Sequence, residues 1–404
     1  MKIISYIMRV GIVTGPGDIK EYGGKERYVI ELSHRLIKAG IDVTIFSQIG
    51  RVNRIDSATL RRMTSARITY FRALRILRTP ESILLGTSAA KMFKALRRLD
   101  VVYNVHAGMA MNSVLNSYCT RNGIRYVLGM HNPKGVLSLP LYSNALRRAL
   151  YGIYLPFRKA SLMAAQNIHV LNSEDKRVLE SIGYNRRSIY FVPNFIGIRK
   201  PKSITANRKE FIVLAVSRLS IRQKGIDLLD EVIRSTLQKK SKIKFYIVGS
   251  GDGSADDGSG IVKRLSAAYP ENVRWFGFVD EEKLQRLYGE ASLFVSTSRY
   301  ESFLLTLTEA QAHGLPAVTF DIRGPHDIIS KSFQGIRVSP FSVADFQNAI
   351  LQYYSAWMSG SINSALREKI SRYIFGKYGS YKVIPQIIDM LRGRQNKANI
   401  DRKI

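Results

Sequence analysis

The chain has 404 residues, with 62 Lys and Arg against 31 Asp and Glu for a formal net charge of +31, and 45% of its residues are hydrophobic. That much apolar material over that length supports two or three cored domains and excludes a mostly disordered chain. A single cysteine, Cys119, excludes an internal disulfide framework and fits a reducing compartment.

Met1 to Thr14 could pass for a leader, but Arg9 splits its apolar part and no small-residue cleavage site follows, so it is read as a strand. A loop rich in Gly, Pro and Asp runs to Gly24, and Tyr28, Val29, Leu32, Leu36 and Ile37 then recur at helical spacing until Gly40. Ile41 to Phe46 reads as the next strand. Strand, glycine loop, helix, strand opens a parallel α/β sheet, and strands at Val101 to Val105, Arg125 to Met130 and Asn167 to Leu171 continue it. Within this half, Arg51 to Asp100 carries 12 basic and 3 acidic residues. Nucleic acid or an anionic membrane surface would explain the excess, with simple solvation as the plain alternative.

The rhythm restarts at Phe211 to Val216, with a helix at Ile226 to Gln238 and strands at Lys244 to Val248, Val273 to Gly277 and Leu293 to Ser296. The expected division is residues 1–200, residues 201–380, and a C-terminal helix and basic tail at 381–404 that packs on either domain. Arg199 to Arg208, polar and holding Pro201, reads as the linker. Residues 1–200 hold 32 basic and 11 acidic residues, a net of +21, against +10 for the remainder. No apolar run reaches the 18 or so residues of a membrane-spanning helix.

The chemistry concentrates in Tyr300 to Val318. Glu301 falls in the loop after the strand Leu293 to Ser296 and Glu309 on the following helix, where open α/β folds bind ligands and a helix N-terminus can receive phosphate. Taken alone, the pair reads first as two surface glutamates. With its trailing Ala-x-x-x-Gly-x-Pro-x-Val pattern, however, the segment resembles the Glu-x7-Glu signature of the retaining glycosyltransferases of family 4, which have the GT-B fold. Arg218-Leu219 with Lys224-Gly225 resembles that family's donor-phosphate motif. Val192-Pro193-Asn194, Val170-Leu171-Asn172-Ser173 and Gly23-Gly24-Lys25-Glu26 resemble further segments in the same order.

The resemblance implies an α/β protein of two Rossmann-like, doubly wound domains facing across a cleft, the second holding a nucleotide-sugar donor. Carried over, Glu309 binds the donor ribose and Glu301 lies near the transferred sugar. Arg218 and Lys224 hold the diphosphate, and Ser302, Phe303, Leu304 and Leu305 offer backbone donors. Val279 meets the base through its backbone, His131 contacts the sugar, and Gly24 lets the N-terminal loop approach a phosphate. Met8 becomes an alternative start, since the family's first strand falls at about Arg9. Ser217 and Leu304 stand where the family carries glycine, and Leu304 is expected to crowd the sugar pocket.

There is no Asp-x-Asp motif, cysteine pair or Gly-x-Ser-x-Gly elbow, so no metal or other cofactor and no serine hydrolase chemistry is expected. The reading is a retaining, metal-independent glycosyltransferase, cytoplasmic and peripheral on the inner face of a membrane, with a lipid-linked or anionic acceptor. Arg147 to Lys159, four cations around an apolar and aromatic centre, is the candidate interfacial anchor. A soluble acceptor, or a nucleic-acid-binding protein on a degenerate scaffold of this fold, is the alternative. No nucleic-acid-reading motif supports the latter.

Overall fold

A computed structural model of the chain describes residues 7–15, 18–21, 24–49, 55–75, 82–84, 86–105, 109–130, 132–137, 145–201, 203–207 and 209–395. The chain divides into two compact units, Met1–Pro193 with Val383–Ile404, and Asn194–Lys382.

In the first unit the strands are β1 (Arg9–Val13), β2 (Asp42–Gln48), β3 (Arg67–Phe71), β4 (Ala73–Arg75), β5 (Ser82–Leu84), β6 (Val101–Asn104), β7 (Arg125–Gly129), β8 (Ile168–Val170) and β9 (Ile189–Phe191). Seven form a parallel sheet in the order β3-β2-β1-β6-β7-β8-β9, while β4 and β5 pair as an antiparallel hairpin. Central strands are largely apolar, as in a parallel sheet covered on both faces; all four residues of β6 are buried, Asn104 among them. Val10 of β1 stands between Val43 and Val101, which sets the register.

The second unit repeats the architecture with β10 (Ile212–Val216), β11 (Lys244–Val248), β12 (Val273–Trp275), β13 (Leu293–Ser296), β14 (Ala317–Phe320) and β15 (Gly335–Val338). Its parallel sheet has the order β12-β11-β10-β13-β14-β15. One face is covered by Leu229, Val232 and Ile233 of helix Ile226–Lys239 and by Phe346 and Ile350 of helix Val343–Met358. The other is covered by Leu284 and Leu287, Leu307 and Ala310, and Ile374, from helices Glu281–Glu290, Leu305–Ala312 and Ser364–Tyr378. Each large aliphatic side chain buried this way stabilises the unit by about 1.5–3 kcal/mol. The strand order reverses between β10 and β13, so the loops leaving their C-terminal ends flank the crevice where such sheets bind ligands.

Two details differ from the sequence expectation. The second unit begins at Asn194 rather than at 201, because Ile196 bridges to Gly379 and is buried with Ile198 in the second core. The stretch expected as a linker is fastened to the same unit. Asn207 donates through Nδ2 to Glu290 O (2.9 Å) and receives the Trp357 indole N–H at its carbonyl (2.6 Å). Its polar residues serve these hydrogen bonds instead of solvating a tether. Helix Ser380–Arg392 carries the chain back, and from Val383 it belongs to the first unit, where Arg125 Nη2 donates to Met390 O (3.3 Å).

Among the described residues no helix is long and apolar enough to cross a membrane, and no group of three or more His, Cys, Asp and Glu could hold a metal ion.

Candidate active site

The site grows from the two loops at the strand-order reversal. After β10 the chain makes a single helical turn, Ile221–Lys224, capped by Ser220, whose Oγ accepts the Gln223 N–H (3.1 Å). Asp256, from the loop after β11, adds a carboxylate that accepts the Arg222 N–H (2.7 Å) and the Ser220 hydroxyl. Gly225 ends the turn in the left-handed region (φ 63°) and starts helix Ile226–Lys239. A Cβ there would stand 2.2 Å from Thr297 O, so glycine is what lets the end of β13 approach this closely.

The loop after β13 is stitched to that turn. Thr297 Oγ1 donates to Gly225 O (2.9 Å), the Arg299 N–H donates to Gln223 O (2.8 Å), and Arg299 Nη1 donates to Ile221 O (2.7 Å). The Arg299 guanidinium also grips the Asp227 carboxylate at 2.8 and 2.6 Å. Burial raises the Asp227 carboxyl, but the hydrogen bonds and charge of Arg299 outweigh it and hold the group below the usual range. Two residues beyond Arg299, Glu301 pairs through Oε1 with Lys224 Nζ, the side chains being 7% and 16% exposed.

Beyond Glu301, Ser302 is half-buried and the Phe303 ring stands edge-on to Tyr378 (5.4 Å). Leu304 precedes helix Leu305–Ala312, whose N-terminus has no side-chain cap. Its orphan N–H groups carry partial positive charge beside the Lys224–Glu301 pair. The Leu304 side chain is 3% exposed and packs in the core with Phe294 and Leu307, so it does not crowd a pocket as expected; its bulk is taken up by the core. Glu309, on the same helix, is buried and receives the Tyr288 hydroxyl at Oε2 (3.2 Å). The Tyr288 ring stacks on His313 (5.2 Å).

Arg218 stands apart from the ion pair. More than half exposed, it donates to Gln223 Oε1 (3.0 Å) and lies 3.9 Å from Asp252. Val279 is half-buried against the second core, in the loop after β12. In the first unit, Gly24 opens helix Gly24–Lys38, and His131 lies outside the described residues. The structure thus joins Lys224 and Glu301 directly. It adds Asp227, Arg299, Asp256 and Tyr288, each of which reads alone in the sequence as an ordinary surface or core residue.

The glycosyltransferase families described as "Glycosyltransferase Family 4" and "Glycosyl transferases group 1" match residues 22–200 and 210–356. The chain belongs to glycosyltransferase family 4 and has the GT-B fold. Among relatives of this family 4 chain, the poly(ribitol-phosphate) alpha-N-acetylglucosaminyltransferase of Staphylococcus aureus is 30% identical over 57% of the chain and 42% of the relative. One subunit of the phosphatidylinositol N-acetylglucosaminyltransferase of Arabidopsis thaliana is 22% identical over 76% of the chain and 66% of its own length. The chain spans about two fifths of the length of the first of these relatives. Anabaena HepE, solved in complex with UDP, superposes with a TM-score of 0.70 over 95% of the chain and all of HepE at 17% identity, a likeness of fold.

The candidate anchor differs from expectation at one cation. Arg158 of helix Ala145–Met163 is buried and donates through Nη2 to Gly135 O (2.8 Å), so it faces the protein. Ile153 (80% exposed) and Phe157 (42%) on that helix face solvent, and the Tyr154 ring stacks on Phe157.

Proposed function

We propose that this family 4 chain transfers a sugar from a nucleoside diphosphate sugar to an acceptor with retention of anomeric configuration. Lys224 and Arg218 hold the diphosphate, Glu309 the ribose, and Glu301 lies against the sugar, with Val279 and the backbone of Ser302 to Leu305 completing the donor site. In the first unit, Gly24 approaches a phosphate and His131 the sugar. The observation that carries this reading is the Lys224–Glu301 pair beside the uncapped start of helix Leu305–Ala312. As the glycosidic bond breaks, its electron pair passes to the diphosphate oxygen, and a cation and helical N–H groups in a sheltered crevice stabilise that charge. The acceptor oxygen bonds to the anomeric carbon on the same face and its proton passes to the leaving diphosphate. A covalent intermediate on Glu301 is the alternative route to retention.

The UDP held by HepE supports uridine as the first base to test. The relatives' names, a poly(ribitol-phosphate) and a phosphatidylinositol N-acetylglucosaminyltransferase, support an anionic or lipid-linked acceptor. The exposed Ile153 and Phe157 support peripheral contact with a membrane, and the single cysteine fits its inner, cytoplasmic face. The test is a panel of nucleoside diphosphate sugars scored by released nucleoside diphosphate, with and without EDTA, and NMR of the first product anomer. Turnover that survives EDTA and gives a retained anomer is expected. An inverted product or strict dependence on a divalent cation overturns the mechanism.

A further inference from the structure

The single turn that carries Lys224 closes only two helical hydrogen-bonded rings, from the Lys224 N–H to Ser220 O and from the Gly225 N–H to Ile221 O (both 3.0 Å), too few to hold its shape alone. Its carbonyls are taken up by the loop after β13. Ile221 O and Gln223 O receive the side chain and the N–H of Arg299, and Gly225 O receives Thr297. Arg299 is in turn fixed by the two-pronged grip of Asp227, which lies on the first turn of helix Ile226–Lys239, beyond Lys224. Arg299 therefore joins three pieces of chain: the turn before Lys224, the helix after it, and the loop that leads to Glu301. A planar guanidinium with several donors in fixed directions can do this, whereas an ammonium cannot.

We infer that Arg299, locked by Asp227, is a positioning residue for Lys224. It sets where the lysine ammonium stands when Glu301 gives it up to a bound diphosphate. This deepens the proposed function and rests on it. The Arg299 side chain is engaged by Ile221 O and the Asp227 carboxylate, so its effect is inferred to pass through Lys224, and that dependence separates positioning from mere support of the fold.

The experiment is a double-mutant cycle of Arg299→Met with Lys224→Ala in the full chain, read by turnover and by calorimetric binding of a panel of nucleoside diphosphates. Arg299→Met is expected to lower turnover on the order of tenfold or more, with a smaller change in donor KM, and to have no further effect once Lys224 is alanine. Equal fold losses in both backgrounds, or full turnover in Arg299→Met with Lys224 present, overturn the inference. Asp227→Asn, which keeps a side chain of the same size, is the second variant. It should reproduce a weaker form of the loss with the thermal midpoint little changed, and it decides the matter by the same cycle if Arg299→Met fails to fold. A parent protein that binds no nucleoside diphosphate overturns the proposed function and this inference together. A parent that binds, with additive losses in the cycle, overturns the inference alone.

Discussion

Lys224 and Glu301 neutralise one another where little water reaches either. Removing one partner strands the other charge, which for buried pairs costs about 3–5 kcal/mol. Lys224→Ala should therefore lower the urea midpoint as well as turnover, the latter by at least about 10²-fold. Lys224→Ala with Glu301→Ala should regain part of the stability and none of the turnover, and chemical denaturation beside a turnover assay separates the two effects. Gly225→Ala forces a left-handed backbone on an L side chain and drives its Cβ against Thr297 O, so stability should fall by at least about 1 kcal/mol, read from the same urea curves. His313 gives a pH signature. Burial lowers its pKa from 6.5, its Nδ1–H is engaged by Glu309 O, and the Arg367 charge adds to the shift. The unfolded chain binds the proton first, so His313 contributes stability above pH 6.5 that is lost as pH falls towards its depressed folded value. The thermal midpoint should drop across that window, and His313→Gln should flatten the slope. Asp227, held below the ordinary carboxyl value of 3.8, keeps its contribution above that pH and loses it only as pH falls further.

Among the elements, the central strands β1, β6, β10 and β13 are legible in the sequence because a parallel strand covered on both faces must be apolar along its length. β3 escapes that test: as an edge strand it carries Arg67 and a partly exposed Tyr70, so its pattern resembles loop. β15 escapes it too, because it opens on Gly335 and carries the half-buried Arg337, which interrupts the apolar pattern. The site divides the same way. Glu301, Glu309, Arg218 and Lys224, the residues proposed for the site, are picked out by their motif spacing along the chain. The grip of Arg299 on Asp227 cannot, since the two stand 72 positions apart and only the pairing of β10 with β13 brings their loops together. Helix Ala145–Met163 is where pattern and structure part. Its basic ends suggest a charged anchor, yet Arg158 turns inward and the solvent face is marked by Ile153 and Phe157. Changing both to Ser should reduce flotation with anionic liposomes while leaving turnover on a water-soluble acceptor unchanged. If the parent does not float at low salt, the membrane position is wrong and a soluble acceptor is the better reading.

At the scale of the whole molecule, the first unit is discontinuous in sequence: residues 1–193 are completed by 383–404. Val383, Ile387, Met390 and Leu391 are almost wholly buried. At about 1.5–3 kcal/mol each, they contribute on the order of 6–12 kcal/mol, comparable to the whole stability of a typical domain. Ending the chain after Lys382 should therefore leave the first unit open to limited proteolysis while 194–382 resists.

The same discontinuity sets an order of events on the ribosome. The longer segment of the first unit precedes the second unit in the chain, but it lacks its closing helix until the entire second unit has been made. At roughly 5–20 residues per second, translating the intervening segment takes on the order of 10–40 s. During that interval the nascent first sheet lacks the cover of residues 383–392, whereas the second sheet already has all its strands. Of the two units, the one begun first is thus finished last, and its apolar surface stays open to a chaperone while it waits.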